Sequence, residues 1–490
     1  MRKSITVFLL VCASLQSLRA QNPDTSQPVS SPASTPAIRA DDAQELPRGR
    51  IVERVAVREN PSQSYALYLP SGYTPEKRWP ILYCFDPAAR GALPVELFRA
   101  AAERYGWIVA GSNNSRNGSL REAWEATTAM WDDTRARLSI DARRVYAAGF
   151  SGGARTAVRL GYLCKDCLAG VVAVGAGYPA GLAPQAGVPF PLFLIAGTED
   201  FNFPEMRLLD DALERLDATH RLELFDGGHS WPSPELCTEA VEWLELEAMK
   251  TGRRERDETL VEELWKRAAT SARLREETGQ PYEAFRSYRA LASDFRGLRD
   301  ISEPERRAAQ LGETKEVRRA REEEDEQIKR QQRLVGSLHA LLETQQRASD
   351  ADARTDASLD FRKSIADLKR LSAETKDTGG RRVARRALRQ FFAQVYEVAL
   401  SLLREREEYS RPVSLLEAAL EIAPDSARLH FDLARAYALK REKRKALDAL
   451  RRAVEKGFDD AAELSGDPAL DALRGEPGFA ELLKKLSKGR

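Results

Sequence analysis

The chain has 490 residues, enough for two or more domains. Its 76 basic and 75 acidic residues leave a net charge of +1, so bulk attraction to nucleic acid or to an anionic membrane surface is not indicated. Charged residues make up 31% of the chain but are spread unevenly. Apolar runs and glycines fill the first half; Arg, Glu, Ala and Leu dominate the second. That shift is the strongest domain-boundary signal.

In chain order, residues 1–20 read as an export signal: Met1-Arg2-Lys3 is the positive start, Ile5 to Ala13 the apolar stretch, and Ala20 the small residue for cleavage before Gln21. Leu18 departs from the small residue usual there, and the alternative is a buried N-terminal helix. Residues 21–47, rich in Pro, Ser, Thr and Gln, read as a disordered linker. No later run reaches the roughly 18–20 apolar residues of a membrane span, so none is expected.

Residues 48–250 predict an α/β domain. Ile51 to Val57 and Tyr65 to Leu69 alternate apolar and polar residues about Asn60-Pro61-Ser62, a β-hairpin pattern. Continuously apolar runs follow at Pro80–Phe85, Trp107–Ala110, Val145–Ala148, Gly170–Val174, Leu192–Ile195 and Leu222–Phe225, as buried parallel strands require. Helical patterns separate them, at Pro94–Arg104, Arg121–Leu138, Gly153–Leu163, Pro204–Ala218 and Pro234–Met249. This alternation predicts a mostly parallel sheet.

Gly149-Phe150-Ser151-Gly152-Gly153 lies between one of these strands and the next helix, the setting of a nucleophile elbow. A tight turn there lifts Ser151 off the sheet edge and aims the helix N-terminus at the reaction centre. Asp200 follows the strand at Leu192 and His229 the strand at Leu222, where loops past strand ends carry active residues. The order Ser151, Asp200, His229 is that of an elbow hydrolase. Bland readings compete: a Gly/Ser turn at Ser151, a helix cap at Asp200, a satisfied loop histidine at His229. Glu199 is a rival acid.

After removal of the signal, Cys84, Cys164, Cys167 and Cys237 remain. A local Cys164–Cys167 disulfide competes with free thiols, and with no second C-x-x-C and only scattered histidines no metal is expected.

Residues 48–250 resemble the α/β-hydrolase superfamily, particularly its esterase, feruloyl-esterase, polyhydroxyalkanoate-depolymerase-like and dienelactone-hydrolase-like branches. The carriers are Gly149–Ala154, Gly197-Thr198-Glu199-Asp200 and Gly228-His229-Ser230-Trp231-Pro232. The resemblance implies Ser151 as nucleophile, His229 as general base then acid, Asp200 as the group orienting it, and no cofactor. Lipase-like members carry a His-Gly-Gly-Gly run where this chain has Phe85-Asp86-Pro87-Ala88-Ala89-Arg90-Gly91. Topology then points to an oxyanion hole from the Gly152 N–H and one from Ala88 or its neighbours. Arg90, Asn113, Asn114 and Trp231 are candidate substrate contacts, with a solvated arginine and ordinary turn chemistry as rivals.

From residue 253 the pattern is helical. Residues 253–390 form a charged helical region in which Glu322–Glu326 reads as a solvated face and Leu334, Leu338, Leu341 and Leu342 as an apolar stripe. Residues 391–490 look like tetratricopeptide repeats with closing helices. Over residues 427–460, about the 34-residue length of one repeat, Leu433, Ala434, Tyr437, Ala446, Leu450 and Ala453 occupy the packing positions. Such arrays bind peptides or proteins, or only pack on a neighbour. The expectation is an exported (periplasmic or secreted) serine hydrolase of small-molecule or polymeric carboxylic esters. The alternatives are a peptidase of the same fold and a catalytically weak scaffold.

Overall fold

The apolar runs become the strands of one eight-stranded sheet, ordered β1-β2-β4-β3-β5-β6-β7-β8. The strands are β1 (Ile51–Ala56), β2 (Ser64–Tyr68), β3 (Trp79–Phe85), β4 (Ile108–Ser112), β5 (Ile140–Phe150), β6 (Gly170–Val174), β7 (Leu192–Gly197) and β8 (His220–Phe225). The computed structural model describes residues 46–488 except 165, 186, 349–350, 377 and 406–408, so the expected signal and nearly all of the expected linker lie outside the described residues. β1 pairs antiparallel with β2 and β2 with β4; every other pairing is parallel.

Period-two alternation divides each strand between two cores. In β3, Ile81, Tyr83 and Phe85 face the core that also holds Ala154, Val158, Met206 and Leu209, while Leu82 and Cys84 face Phe98, Trp107, Ala240 and Val241. Helices α1 (Ala92–Tyr105), α2 (Leu120–Arg137), α3 (Gly152–Leu163), α4 (Phe203–Arg215) and α5 (Pro234–Lys250) alternate with the strands. The expected fold class is therefore the observed one: a mostly parallel α/β sheet followed by an all-α region with tetratricopeptide-like helices.

The helical region comprises α6 (Glu258–Glu277), α7 (Pro281–Phe295), α8 (Ser302–Gly312), α9 (Lys315–Arg347), α10 (Ala351–Ser372), α11 (Gly379–Glu405), α12 (Ser410–Ile422), α13 (Ala427–Leu439), α14 (Lys443–Glu455), α15 (Ala461–Gly466), a short 3₁₀ turn and α16 (Pro477–Lys488). Leu433, Ala434, Tyr437, Ala446, Leu450 and Ala453 are all buried in its core. The acidic run on α9 is mostly exposed, but Glu324 departs from the solvated-face expectation and pairs with Arg207 of α4 at 2.9 Å. No described helix is long and apolar enough to cross a membrane.

The described residues belong to one compact unit. A buried charge cluster joins the sheet to the helical region: Arg221 of β8 pairs with Asp294 of α7, Glu223 and Glu239. Trp243 Nε1 donates to the other Asp294 oxygen at 2.8 Å.

Candidate active site

β5 ends at Phe150 and α3 begins at Gly152, leaving Ser151 alone in the turn with φ 53° and ψ −120°. A non-glycine residue there costs on the order of 1–3 kcal/mol, so the surroundings must impose it. They do: a side chain on Gly149 would collide with the Gly153 carbonyl, and one on Gly153 with the Phe85 carbonyl. The Ser151 N–H donates to Val174 O at 2.8 Å, anchoring the turn to β6. Its hydroxyl makes no capping bond to α3.

His229 Nδ1 lies 2.9 and 3.0 Å from the two Asp200 oxygens. Asp200 is 1% exposed and His229 16%. Asp200 Oδ1 also accepts the Asn202 N–H at 2.8 Å, and Asn202 Nδ2 donates to Gly175 O. Asp200 is not the residue capping α4, whose N-terminal flank is Asn202. Glu199 points elsewhere, to Arg385 of α11 at 3.0 Å. The His229 ring packs between Phe150 and Phe201, with centroids 4.5 and 4.1 Å away. His220, His339 and His430 are engaged with Asp210, Gln394 and the Pro424 carbonyl respectively.

Gly175, at the end of β6, closes the back of this pair. Its φ is +63°, and a Cβ there would stand 2.9 Å from Asp200 Oδ2 and 3.1 Å from His229 Nδ1. Both its conformation and the close approach require glycine.

The loop after β3 is organised by Asp86, whose side chain is fully buried. It accepts the Ala88 N–H at 2.9 Å, the Arg90 Nε and Nη2 at 2.9 and 2.8 Å, and Trp231 Nε1 at 2.9 Å. Burial pushes its carboxyl pKa up, yet the bonds from Arg90, Trp231 and Ala88 outweigh that and hold it below the usual value.

These bonds correct several expectations. The Ala88 N–H is spent on Asp86 and does not stand free as an oxyanion donor. Arg90 is held in a two-point ion pair with Asp86, with its side chain 55% exposed. Trp231 is buried, with its indole N–H on the same carboxylate. Asn113 Nδ2 donates to Glu53 O, while Asn114 accepts the Ser64 N–H and donates to Ser62 O, so both pin the β1–β2 hairpin. Position after a strand end located this loop correctly but could not give side-chain direction.

Asn117 was missed as an individual site residue. Its Oδ1 occupies the space a Gly152 side chain would take, so it borders the elbow. Its own N–H donates to Pro87 O at 2.9 Å and ties the two loops together. Within residues 86–90, the Ala88, Ala89 and Arg90 N–H groups all turn back onto Asp86, and Pro87 has none. No partner of the Asp86 or Gly152 N–H is seen among the described residues.

The helical region also reaches the site. Arg389 Nη1 lies against Gly228, beside His229, and Arg404 against Gly118, beside Asn117. Glu397 lies between them on α11, its carboxyl pushed up by burial and pulled back by Arg155 and His229. Arg155 itself is bound to Glu205 and to Tyr178 O. A cavity of about 830 Å³ between the sheet and the helical region is lined by Thr198 and Phe203 but not by Ser151 or His229, so it is separate from this chemistry.

The structure contains a Cys164–Cys167 disulfide just past α3, with Cα atoms 5.6 Å apart. Cys84 and Cys237 are buried thiols whose pKa values burial raises, so neither is a reactive nucleophile.

A tetratricopeptide repeat family model matches residues 403–466. A search of curated proteins finds no match. Among solved structures, an S-formylglutathione hydrolase from Staphylococcus aureus aligns at 14% identity over 41% of this chain and 98% of its own, with a TM-score of 0.32. The feruloyl esterase module from Clostridium thermocellum aligns at 18% identity over 39% and 86%, TM-score 0.32. An esterase from the archaeon Pyrobaculum calidifontis aligns at 16% identity over 43% and 87%, TM-score 0.33.

Proposed function

We propose that this chain is an exported serine hydrolase acting on carboxylic esters. The observation that carries the reading is the Asp200–His229 hydrogen bond, with the His229 ring packed on Phe150, the residue that precedes Ser151 in the elbow. Ser151 Oγ attacks the ester carbonyl as His229 Nε2 takes its proton. The imidazolium, stabilised through Nδ1 by Asp200, returns that proton to the departing alcohol, leaving an acyl-enzyme. His229 then takes a proton from water as the water oxygen attacks the acyl carbon, and returns it to Ser151 Oγ as that bond breaks and the acid is released. The oxyanion of each tetrahedral intermediate is received by the Gly152 and Asp86 N–H groups, in place of Ala88. The Cys164–Cys167 disulfide supports an oxidising compartment and so the export reading.

Labelling by a fluorophosphonate probe, lost in Ser151→Ala, tests the nucleophile. Turnover of short-chain aryl esters without cleavage of peptide amides distinguishes an esterase from a peptidase. A folded chain that neither labels nor turns over esters would refute the catalytic reading. It would leave the scaffold reading, which the tetratricopeptide match at 403–466 favours. Mass measurement of protein recovered from the extracytoplasmic fraction tests export, with cleavage after Ala20 as the expected result.

A further inference from the structure

The segment that carries Asp200 is gripped from outside the sheet. Arg385 Nη1 lies 3.0 and 3.1 Å from the Glu199 oxygens, and Arg386 Nη1 donates to Thr198 O at 3.1 Å. The Arg386 guanidinium lies over the Phe203 ring, 4.5 Å from its centroid. Gln331 of α9 donates to Phe201 O at 2.8 Å and to Gln390 of α11 at 2.7 Å. The helical region thus touches residues 198, 199, 201 and 203, on both sides of Asp200. The sheet holds the other side of the same turn, through Thr198 N–H to Phe225 O and Glu199 N–H to Gly227 O.

The chemistry of these contacts is poorly suited to stability alone. Arg386 is 1% exposed, and its Nε and Nη2 find no hydrogen-bond partner among the described residues. Burial and the neighbouring Arg382 lower its pKa to about 10. An apolar side chain of similar size would pack there without the desolvation cost. What the arginine supplies is a directed bond to the backbone two residues before the acid.

We propose that Arg385, Arg386 and Gln331 are positioning residues that hold Asp200 in register with His229, which makes the helical region a working part of the active site. The inference rests on the triad reading above. A displacement of about 1 Å at a reacting centre costs up to about 100-fold in rate, so loosening this turn reduces kcat while leaving substrate binding in place.

The test uses the full chain, with rates normalised to sites titrated by the fluorophosphonate. Arg385→Ala and Gln331→Met are expected to lower kcat about tenfold or more with KM changed less than about twofold. Arg385→Lys should recover part of the loss, and Arg385→Ala combined with Glu199→Ala should cost no more than either alone. Arg385 and Glu199 are 28% and 20% exposed, and removing both together leaves no orphan charge, so this arm survives even if Arg386→Met fails to fold. Wild-type kcat in folded Arg385→Ala and Gln331→Met would overturn this proposal alone. Absence of labelling in the wild type would instead remove the catalytic reading, and this proposal with it.

Discussion

Trp231 Nε1 donates to Asp86 Oδ2 at 2.9 Å, joining the loop that carries His229 to the loop after β3. Because the same carboxylate holds Ala88 and Arg90, one buried group fixes two walls of the candidate site. Asp86→Asn is expected to destabilise the fold by about 1–3 kcal/mol in urea unfolding, since it weakens charge-assisted bonds to a buried acceptor. The folded carboxyl pKa is depressed, so its stabilisation is present above the ordinary 3.8 and disappears as pH falls through the lowered folded value. The gap between wild type and Asp86→Asn should accordingly be wide at pH 6 and close on acidification below that point. A gap that stays constant with pH would contradict the assignment.

Gly175→Ala tests the back of the site. The φ of +63° and the approach of the new Cβ to Asp200 and His229 both oppose it. A loss of about 1–2 kcal/mol in stability is expected from the backbone alone. Ester turnover should fall further than stability predicts, because relief of the clash pushes Asp200 and His229 apart. Calorimetry and steady-state kinetics on the same sample separate the two effects.

Glu397 offers an electrostatic test. When ionised it stabilises a positive His229, which opposes the burial that raises its own pKa. Because the folded pKa is raised, ionising Glu397 costs stability, so the wild type should lose ground to Glu397→Gln in urea unfolding as pH rises above the ordinary 4.5. A difference that does not change with pH would contradict the burial of this carboxyl.

Asp294→Ala tests how firmly the helical region is attached. It removes a carboxylate 2% exposed that joins Arg221 and Trp243. The cost expected is about 3 kcal/mol, the lower end for breaking a buried pair, because Glu223 and Glu239 remain near Arg221. Thermal unfolding monitored by calorimetry reads it directly.

Much of the α/β part was legible because its signals are local. Strand runs such as Leu192–Ile195 are apolar wherever both faces of a sheet are covered, and Gly149 answers to a collision with the Gly153 carbonyl four residues on. The positions of Asp200 and His229 followed from chain order along the strands. What the chain did not show is direction: Arg90, Asn113, Asn114 and Trp231 sit in the expected loops, and their side chains bond Asp86, Glu53, Ser62 and Asp86 respectively. Asp86 escaped notice because its partners are spread from Ala88 to Trp231.

By itself, the sequence determined that Ser151 sits in a strand-to-helix turn, with an acid and a histidine following later strands, since periodicity and turn sterics act over a few residues. Only the tertiary structure decided that Asp200 rather than Glu199 meets His229, that Asp86 gathers the β3 loop, and that Arg385, Arg386 and Gln331 reach the acid's turn. The first rests on a bond between loops 29 residues apart and the others on bonds between segments more than a hundred residues apart, whose directions are set when the elements pack together and leave no periodic trace in the chain.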